Sequence, residues 1–332
     1  MRVTIKDVAK ISGVSVSTAS MALNNIKGVN EETRMNVIKV AKKLNYHPNK
    51  NARSLKTDKT LTIGLIVTDI MNPFFASIVE HVRIEVEKQG YNLLLGISGN
   101  KIENEQKYIN EFVARNVDGV IVVPIAGVPQ DLGHLYYLKN IGIPFAFLST
   151  KYEGVMADCA MTDLYEGSYL LTKHLLEAGH KKIFMIAADR RLVLSSMRIA
   201  GYTNAFKDVG REYKEGWIYE TVPDFEHGCD IEYEILKGKP DAIVTINDIL
   251  ALGVLKFLKE MNIKVPNDIS VAGYDDILFA AIAETPLTTV RQPVSEMCSK
   301  VVELIIKRIE GCNEDEEIHL FKPELKIRNS TH

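Results

Sequence analysis

Cysteine is scarce in this 332-residue chain: Cys159, Cys229, Cys298 and Cys312 stand far apart, so no pair has the spacing of a zinc site and no disulfide framework is readable. They read as reduced or incidental thiols. Long apolar runs are absent too, and the opening residues are charged, which leaves neither a membrane span nor a secretion signal and points to a cytoplasmic protein. The chain also lacks a Gly-rich phosphate loop, a nucleophile elbow and any metal-ligand spacing. His81, His134 and His174 fit helix surfaces, and His180 begins a strand. No enzyme, cofactor or metal is expected.

Charge is present but unevenly placed. The formal total is −3, yet residues 1–60 hold 12 Lys and Arg against 4 Asp and Glu, a net of +8 that leaves −11 for the rest. A basic head attracts phosphates and confers salt-dependent affinity, while base contacts supply selection. The same segment reads as a helix-turn-helix. Thr4 caps a first helix with Asp7 near its positive end, and Ile5, Val8, Ala9 and Ile11 form one apolar stripe. Gly13 supplies the turn. Ser15 caps a second helix that turns Ala19, Ala22 and Leu23 inward and leaves Val16, Ser17, Ser20 and Met21 outward, a small and weakly polar face suited to a groove floor. A third helix starts at Asn30-Glu31-Glu32, carries Val37, Val40, Ala41 and Leu44 inward, and stops before Pro48.

Asn49 to Thr57 is polar and basic except for Leu55. A solitary leucine in a plain linker is a surface residue; here Ala52, Arg53 and Leu55 fit a short helix that forms against DNA, with Leu55 wedged between base pairs in the minor groove. From Leu61 the pattern alternates strand and helix. Strands fit 63–67, 93–97, 120–123 and 143–148, then 183–186, 243–246 and 269–272, with helices near 73–89, 103–116, 164–178, 196–208, 225–237 and 248–261. Two doubly wound lobes follow, with a ligand expected between their facing strand ends.

The ordered motifs carry a resemblance. Thr4-Ile5-Lys6-Asp7-Val8-Ala9, Gly13-Val14-Ser15, Asn72-Pro73-Phe74-Phe75, Asp118-Gly119-Val120-Ile121, Arg198-Ile199-Ala200-Gly201-Tyr202, Asn247-Asp248, Gly273-Tyr274-Asp275-Asp276 and Pro286-Leu287-Thr288-Thr289 stand in the order found in the LacI/GalR family of transcriptional regulators, which nearly the whole chain resembles. The resemblance implies a helix-turn-helix headpiece (1–48), a hinge (49–60) and a periplasmic-binding-protein-like α/β core. Its lobes would be 61–162 plus 291–318, the dimerisation lobe, and 163–290 plus 319–332, joined by three crossovers with the effector cleft between.

On the headpiece it places Val16 and Ser17 at base-reading positions and Thr4, Ser15, Thr18, Asn24 and Asn25 toward phosphates, with Asn49, Ala52, Arg53 and Leu55 in the hinge. Met21 stands where many relatives carry an arginine, which removes the side chain best suited to a guanine edge. In the cleft it places Phe74 and Phe75, an aromatic pair able to stack on a sugar ring or a base. Arg198 supplies a planar fork for vicinal hydroxyls or a carboxylate, and Asp275 accepts hydroxyl protons while pairing with Arg198. Asn247 completes the set, and Asn72, Phe225 and Gln292 are further candidates. Ser149 replaces an aspartate frequent in sugar-binding members. Asp248 and Asp276 read as caps.

The expected partners are double-stranded DNA at a pseudo-palindromic operator, a small effector of carbohydrate type, and a second copy of the chain docked on the first-lobe face around 73–89 and 103–116. After Ile327 too little sequence remains for a heptad tail, which argues against a coiled-coil tetramer. Competing readings are a solute-binding protein without DNA function, an enzyme on the same fold, and a regulator set by a purine or by a protein coregulator.

Overall fold

The computed structural model describes residues 3–24, 26–46, 59–127, 131–231 and 233–332. Asn25 and the hinge positions Asn49, Ala52, Arg53 and Leu55 lie outside the described residues. The chain divides into two compact units, residues 1–60 and 61–332.

Among its described residues the first unit holds three helices: α1 (Ile5–Ser12), α2 (Val16–Leu23) and α3 (Glu31–Lys43). Local chemistry sets their ends. The Thr4 backbone N–H donates to the Asp7 carboxylate at 2.8 Å, Gly13 turns the chain at φ +69°, and Ser15 Oγ accepts the Thr18 N–H at 3.0 Å. Val8, Ala9, Ala19, Ala22, Val37 and Ala41 make a small core. Ile11 does not join it. It is 58% exposed, because at 3.6 residues per turn it stands to one side of the face that buries Val8, Ala9 and Ser12.

In the second unit a first lobe begins with β1 (Thr62–Val67), α4 (Pro73–Lys88), β2 (Asn92–Ile97), α5 (Ile102–Ala114), β3 (Gly119–Val122), α6 (Gly133–Asn140), β4 (Phe145–Leu148) and β5 (Asp158–Thr162). The chain then crosses to α7 (Leu164–Glu177), β6 (Ile183–Ala187), α8 (Val193–Asp208), β7 (Ile218–Glu220), α9 (Phe225–Cys229), α10 (Tyr233–Lys237), β8 (Ala242–Thr245), α11 (Asp248–Glu260), β9 (Ser270–Ala272), α12 (Leu278–Ile282) and β10 (Thr289–Arg291). It returns for α13 (Val294–Ile309) and β11 (Ile318–Phe321), and crosses once more to β12 (Glu324–Lys326). The first sheet is parallel in the order β11-β5-β4-β3-β1-β2, and the second in the order β7-β6-β8-β9. The antiparallel pair β10-β12 joins the second sheet through a bridge between Ala272 and Thr288.

Several boundaries differ from the sequence reading. β5 was not expected, since Asp158 and Thr162 break its apolar pattern, yet all five residues are buried. Asp158 is stabilised there by Arg308, whose Nε and Nη2 donate at 2.7 and 2.8 Å, and by the Glu317 N–H at 2.8 Å, contacts that fasten α13 and the approach to β11 to the first lobe. Consequently residues 319–321 pair within the first sheet rather than starting the second lobe. The single helix expected over 225–237 is two short ones. A Cβ on Gly228 would sit 2.4 Å from the Leu250 carbonyl, so α9 lies backbone to backbone on α11. Close approach also explains Gly201, where a Cβ would meet the Tyr165 carbonyl at 2.2 Å, pressing α8 onto α7. No helix among the described residues is long and apolar enough to cross a membrane.

Candidate functional site

The outer face of α2 is the first candidate. Val16 and Ser17 are exposed there, Ser20 and Met21 half-buried. Met21 leans back over the following turn, its Cε 3.1 Å from where a Cβ of Gly28 would stand. The other polar groups serve the backbone. Ser15 and Thr18 hydroxyls lie 2.8 Å apart at the cap, Asn24 Nδ2 donates to the Ser20 carbonyl at 2.8 Å, and the Thr4 hydroxyl donates to Asp7 at 2.7 Å.

The second candidate is a cavity of about 300 Å³ between the lobes, at the carboxyl ends of both sheets. Segments following β1, β3 and β4 form one wall and segments following β6, β8 and β9 the other. Asn72, Phe74, Phe75, Ser149, Arg198, Asn247, Asp275 and Gln292 all line it, although they come from segments far apart in sequence. Phe225 does not. It faces outward with Lys256 Nζ 6.0 Å from its ring, while the preceding Val222, Pro223 and Asp224 take the wall position.

Arg198 is buried, its guanidinium 4.3 Å above the Tyr274 ring. Its separation from Asp275 is 3.9 Å, longer than a hydrogen bond, so the expected pair is not closed. Asp275 Oδ1 instead accepts from Gln292 Nε2 at 2.7 Å. Burial pushes the Asp275 carboxyl up to about 7, against the opposing pull of Arg198 and the Gln292 hydrogen bond. Its φ of +119° is a conformation favouring glycine, held by the Asp275 N–H donating to the Val290 carbonyl at 2.8 Å. Three buried polar atoms at this end, Arg198 Nε, Tyr274 Oη and Gln292 Oε1, have no hydrogen-bond partner among the described residues.

Other side chains hold the frame. Asn247 Oδ1 caps α11 at Leu250 N (2.9 Å) and its Nδ2 braces the Pro223 carbonyl (2.8 Å); Asn72 Oδ1 accepts from Phe74 N at 3.0 Å. Ser149 sits at φ +71°. Phe74 and Phe75 meet edge to face, centroids 5.2 Å apart. Asp248 lies behind the wall, fully buried, accepting from Thr289 Oγ1 at 2.5 Å and Ile277 N at 2.9 Å, and burial beside Asp275 holds its carboxyl well above the usual range. Asp276 binds Arg328 at 2.5 Å. Sequence reasoning missed Thr68, Asn100, Thr150, Leu192, Leu194 and Ser195 on the cavity wall. The last three stand at the cap and in the first turn of α8, the helix after β6, and the strand-end rule would have found them had α8 been started at 193.

Comparison with known proteins adds the following. A family model described as bacterial regulatory proteins, lacI family, matches residues 4–49, and one described as periplasmic binding protein-like domain matches residues 172–331. A curated relative, the HTH-type transcriptional repressor PurR of Photobacterium profundum, is 33% identical over 331 residues, covering 98% of each chain. The solved complex of the transcriptional regulator CelR with cellobiose is 28% identical, with TM-score 0.74 over 99% of this chain and 100% of that one. A LacI-family regulator from Enterococcus faecium with bound ribose is 29% identical, with TM-score 0.72 over 81% of this chain and 98% of that one.

Proposed function

Because this chain belongs to the lacI family of bacterial regulatory proteins, and so is a DNA-binding transcription regulator rather than an enzyme, we propose that it is a cytoplasmic repressor whose hold on its operator is set by a sugar or sugar derivative bound between its lobes. The observation that carries the ligand reading is the set of unmet polar atoms on Arg198 and Gln292 beside Asp275, in a cavity whose mixed wall also presents apolar Phe74, Phe75, Leu192, Leu194 and Ile246. Donors and acceptors at one end suit hydroxyls, and aromatic faces suit the C–H face of a pyranose or furanose. The relatives solved with cellobiose and ribose support the sugar, and the relative named as the repressor PurR supports repression while favouring the purine alternative. A purine base is the second reading, favoured by the flat face that Phe74 offers.

Signal transfer then follows from differential affinity. A ligand touching both walls favours one angle between the lobes, and that angle alters the separation of the hinge segments in a dimer. Leu278, Phe279 and Ile282 on α12 are exposed apolar side chains that a second copy could cover in addition to the α4 and α5 faces. A two-fold dimer reads a pseudo-palindromic operator through Val16 and Ser17, with Leu55 of each hinge wedged at its centre. Selection of genomic fragments on the full-length protein, with and without sugar and purine panels, tests this. A two-fold-symmetric site whose retention responds to a sugar is the expected result; retention that no small molecule alters overturns the effector reading. Leu55→Ala should weaken specific binding far more than binding to random duplex, and a uniform loss contradicts the wedge.

A further inference from the structure

Strand β11 ends the first sheet on one side, and its outer edge is open. It runs parallel to β5, with Ile318 beside Cys159 and Leu320 beside Met161, and the Glu317 and Phe321 carbonyls accept the Cys159 and Asp163 N–H groups at 2.8 and 2.9 Å. Backbone groups alternate in direction along a strand. Those of residues 317, 319 and 321 therefore face β5, while those of Ile318 and Leu320 face away and have no backbone partner among the described residues. Such an edge is a template for a further strand. The common protections are missing from it: Ile318–Phe321 holds no proline, lysine or carboxylate, and its register with β5 has no bulge. Ile318 and Leu320 are 56% and 50% exposed, at the rim of the face that buries Cys159 and Met161. Both ends of the strand are tied down. Arg308 donates to the Glu314 and Asp315 carbonyls and Asp158 accepts the Glu317 N–H ahead of it, and β12 pairs with β10 just after it.

The strand that fits this edge is β11 of a second copy, laid antiparallel about a two-fold axis. With the axis at Ile318, Leu320 would meet the partner's Glu316. With the axis at Leu320, Ile318 would meet the partner's Lys322, and Glu316 the partner's Glu324, a like-charge pair. Only the axis at His319 suits every position. Ile318 then pairs with the partner's Leu320 and Leu320 with the partner's Ile318, their outward N–H and carbonyl groups bond to one another, and Glu316 stands opposite the partner's Lys322 at each end. Lys322 is exposed, and Glu316 lies 3.6 Å from Lys139, beyond hydrogen-bonding distance. We propose that two copies of this chain join through β11 in the His319-centred register, so that their first-lobe sheets become one continuous sheet. Helices α4 and α5, where the dimer proposed above docks, pack on β1 and β2 at the other edge of the sheet. Both interfaces therefore form together, and dimers are linked into larger assemblies whose headpieces reach more than one operator. This linking rests on the dimer reading; the β11 pairing does not.

Sedimentation of the full-length protein from about 1 to 100 μM, the range in which micromolar association is resolved, tests the pairing. The wild type is expected to grow past a dimer with concentration, and Leu320→Lys, at an exposed position, to weaken that growth by about tenfold or more. Lys322→Glu should weaken it as well. Combining Lys322→Glu with Glu316→Lys should restore it, which a loss of folding could not do. In the proposed register the two His319 residues form the non-hydrogen-bonded pair on the axis, with Cα atoms about 4.5 Å apart, so His319→Cys should cross-link chain to chain on mild oxidation where the wild type does not. A wild type that stops at dimers, with Leu320→Lys monomeric, supports the β11 pairing and overturns the dimer on the α4 and α5 faces. Association unchanged by Leu320→Lys and by Lys322→Glu, without a His319→Cys cross-link, overturns the β11 pairing and leaves that dimer standing. A wild type that is monomeric at every concentration overturns both.

Discussion

The outer face of α2 and the interlobe cavity use polar side chains in opposite ways. On α2 the hydroxyls of Ser15 and Thr18 and the amide of Asn24 are already engaged in helix ends, and what the face presents is the shape of Val16 and Ser17. In the cavity, Arg198 Nε and Gln292 Oε1 are buried and unmet. The first arrangement stabilises a small unit that has little core to rely on. The second costs stability, since a buried donor or acceptor without a partner is unfavourable by about 1–3 kcal/mol, and a ligand that satisfies it recovers that amount. Hydrogen bonds closed within the helix ends of α2, and hydrogen-bonding capacity left unmet in the cavity, are thus physically separate devices in one chain.

The contrast is broken most sharply at Arg198. Arg198→Ala should reduce ligand-dependent change in operator binding by about 100-fold or more, corresponding to a charged hydrogen bond of up to about 3 kcal/mol, while the variant still retards operator DNA without ligand. Titrating ligand into a gel-shift assay measures it, and an unchanged midpoint would remove Arg198 from the site. Next is Asp248→Ala, which leaves the Ile277 N–H and the Thr289 hydroxyl without an acceptor behind the cavity wall and should lower stability by about 2–3 kcal/mol in urea.

Asp275 sharpens the comparison through pH. Its carboxyl is raised to about 7 in the folded chain against about 3.9 when unfolded. A raised carboxyl is more readily protonated when folded, so its contribution is fully present below about pH 4 and fades as pH rises toward 7. The urea midpoint should therefore fall between pH 4 and 7 more steeply in the wild type than in Asp275→Asn. Equal slopes would show that the group is not buried as described. Smallest is Ser15→Ala, expected to destabilise the headpiece by about 1 kcal/mol through loss of the cap. A headpiece melting curve that does not shift would mean that α2 is held by its core contacts alone.

Legibility followed the same divide. Helix ends of the headpiece depend on Thr4, Gly13, Ser15 and Asn30, residues whose preferences act within four positions, and all four end up where local rules put them. The buried parallel strands were readable as apolar runs. Strand β5 was not, because Asp158 is stabilised by Arg308, 150 positions away, and no local pattern announces such a partner. In the cleft, the motif residues Phe74, Arg198, Asn247 and Asp275 were found through family resemblance, and the structure brings them to one cavity. Phe225 was misplaced because α9 starts only at that residue, so the preceding Val222, Pro223 and Asp224 take the wall and the Phe225 ring faces Lys256. Leu192 and Leu194, ordinary apolar residues at the cap and in the first turn of α8, carried no signal of their own.

The chain passes between the lobes of the core three times, near residues 163, 292 and 322. One consequence concerns what a protease can do to it. A nick at any single passage leaves two covalent straps in place, so the cleaved protein should give two bands on a denaturing gel and yet migrate as one particle under native conditions. Neither lobe corresponds to a continuous stretch of gene, so excising one cleanly would require rejoining the chain at several points. The sensor is inherited whole, and insertions that survive in it are expected at surface loops rather than at the straps.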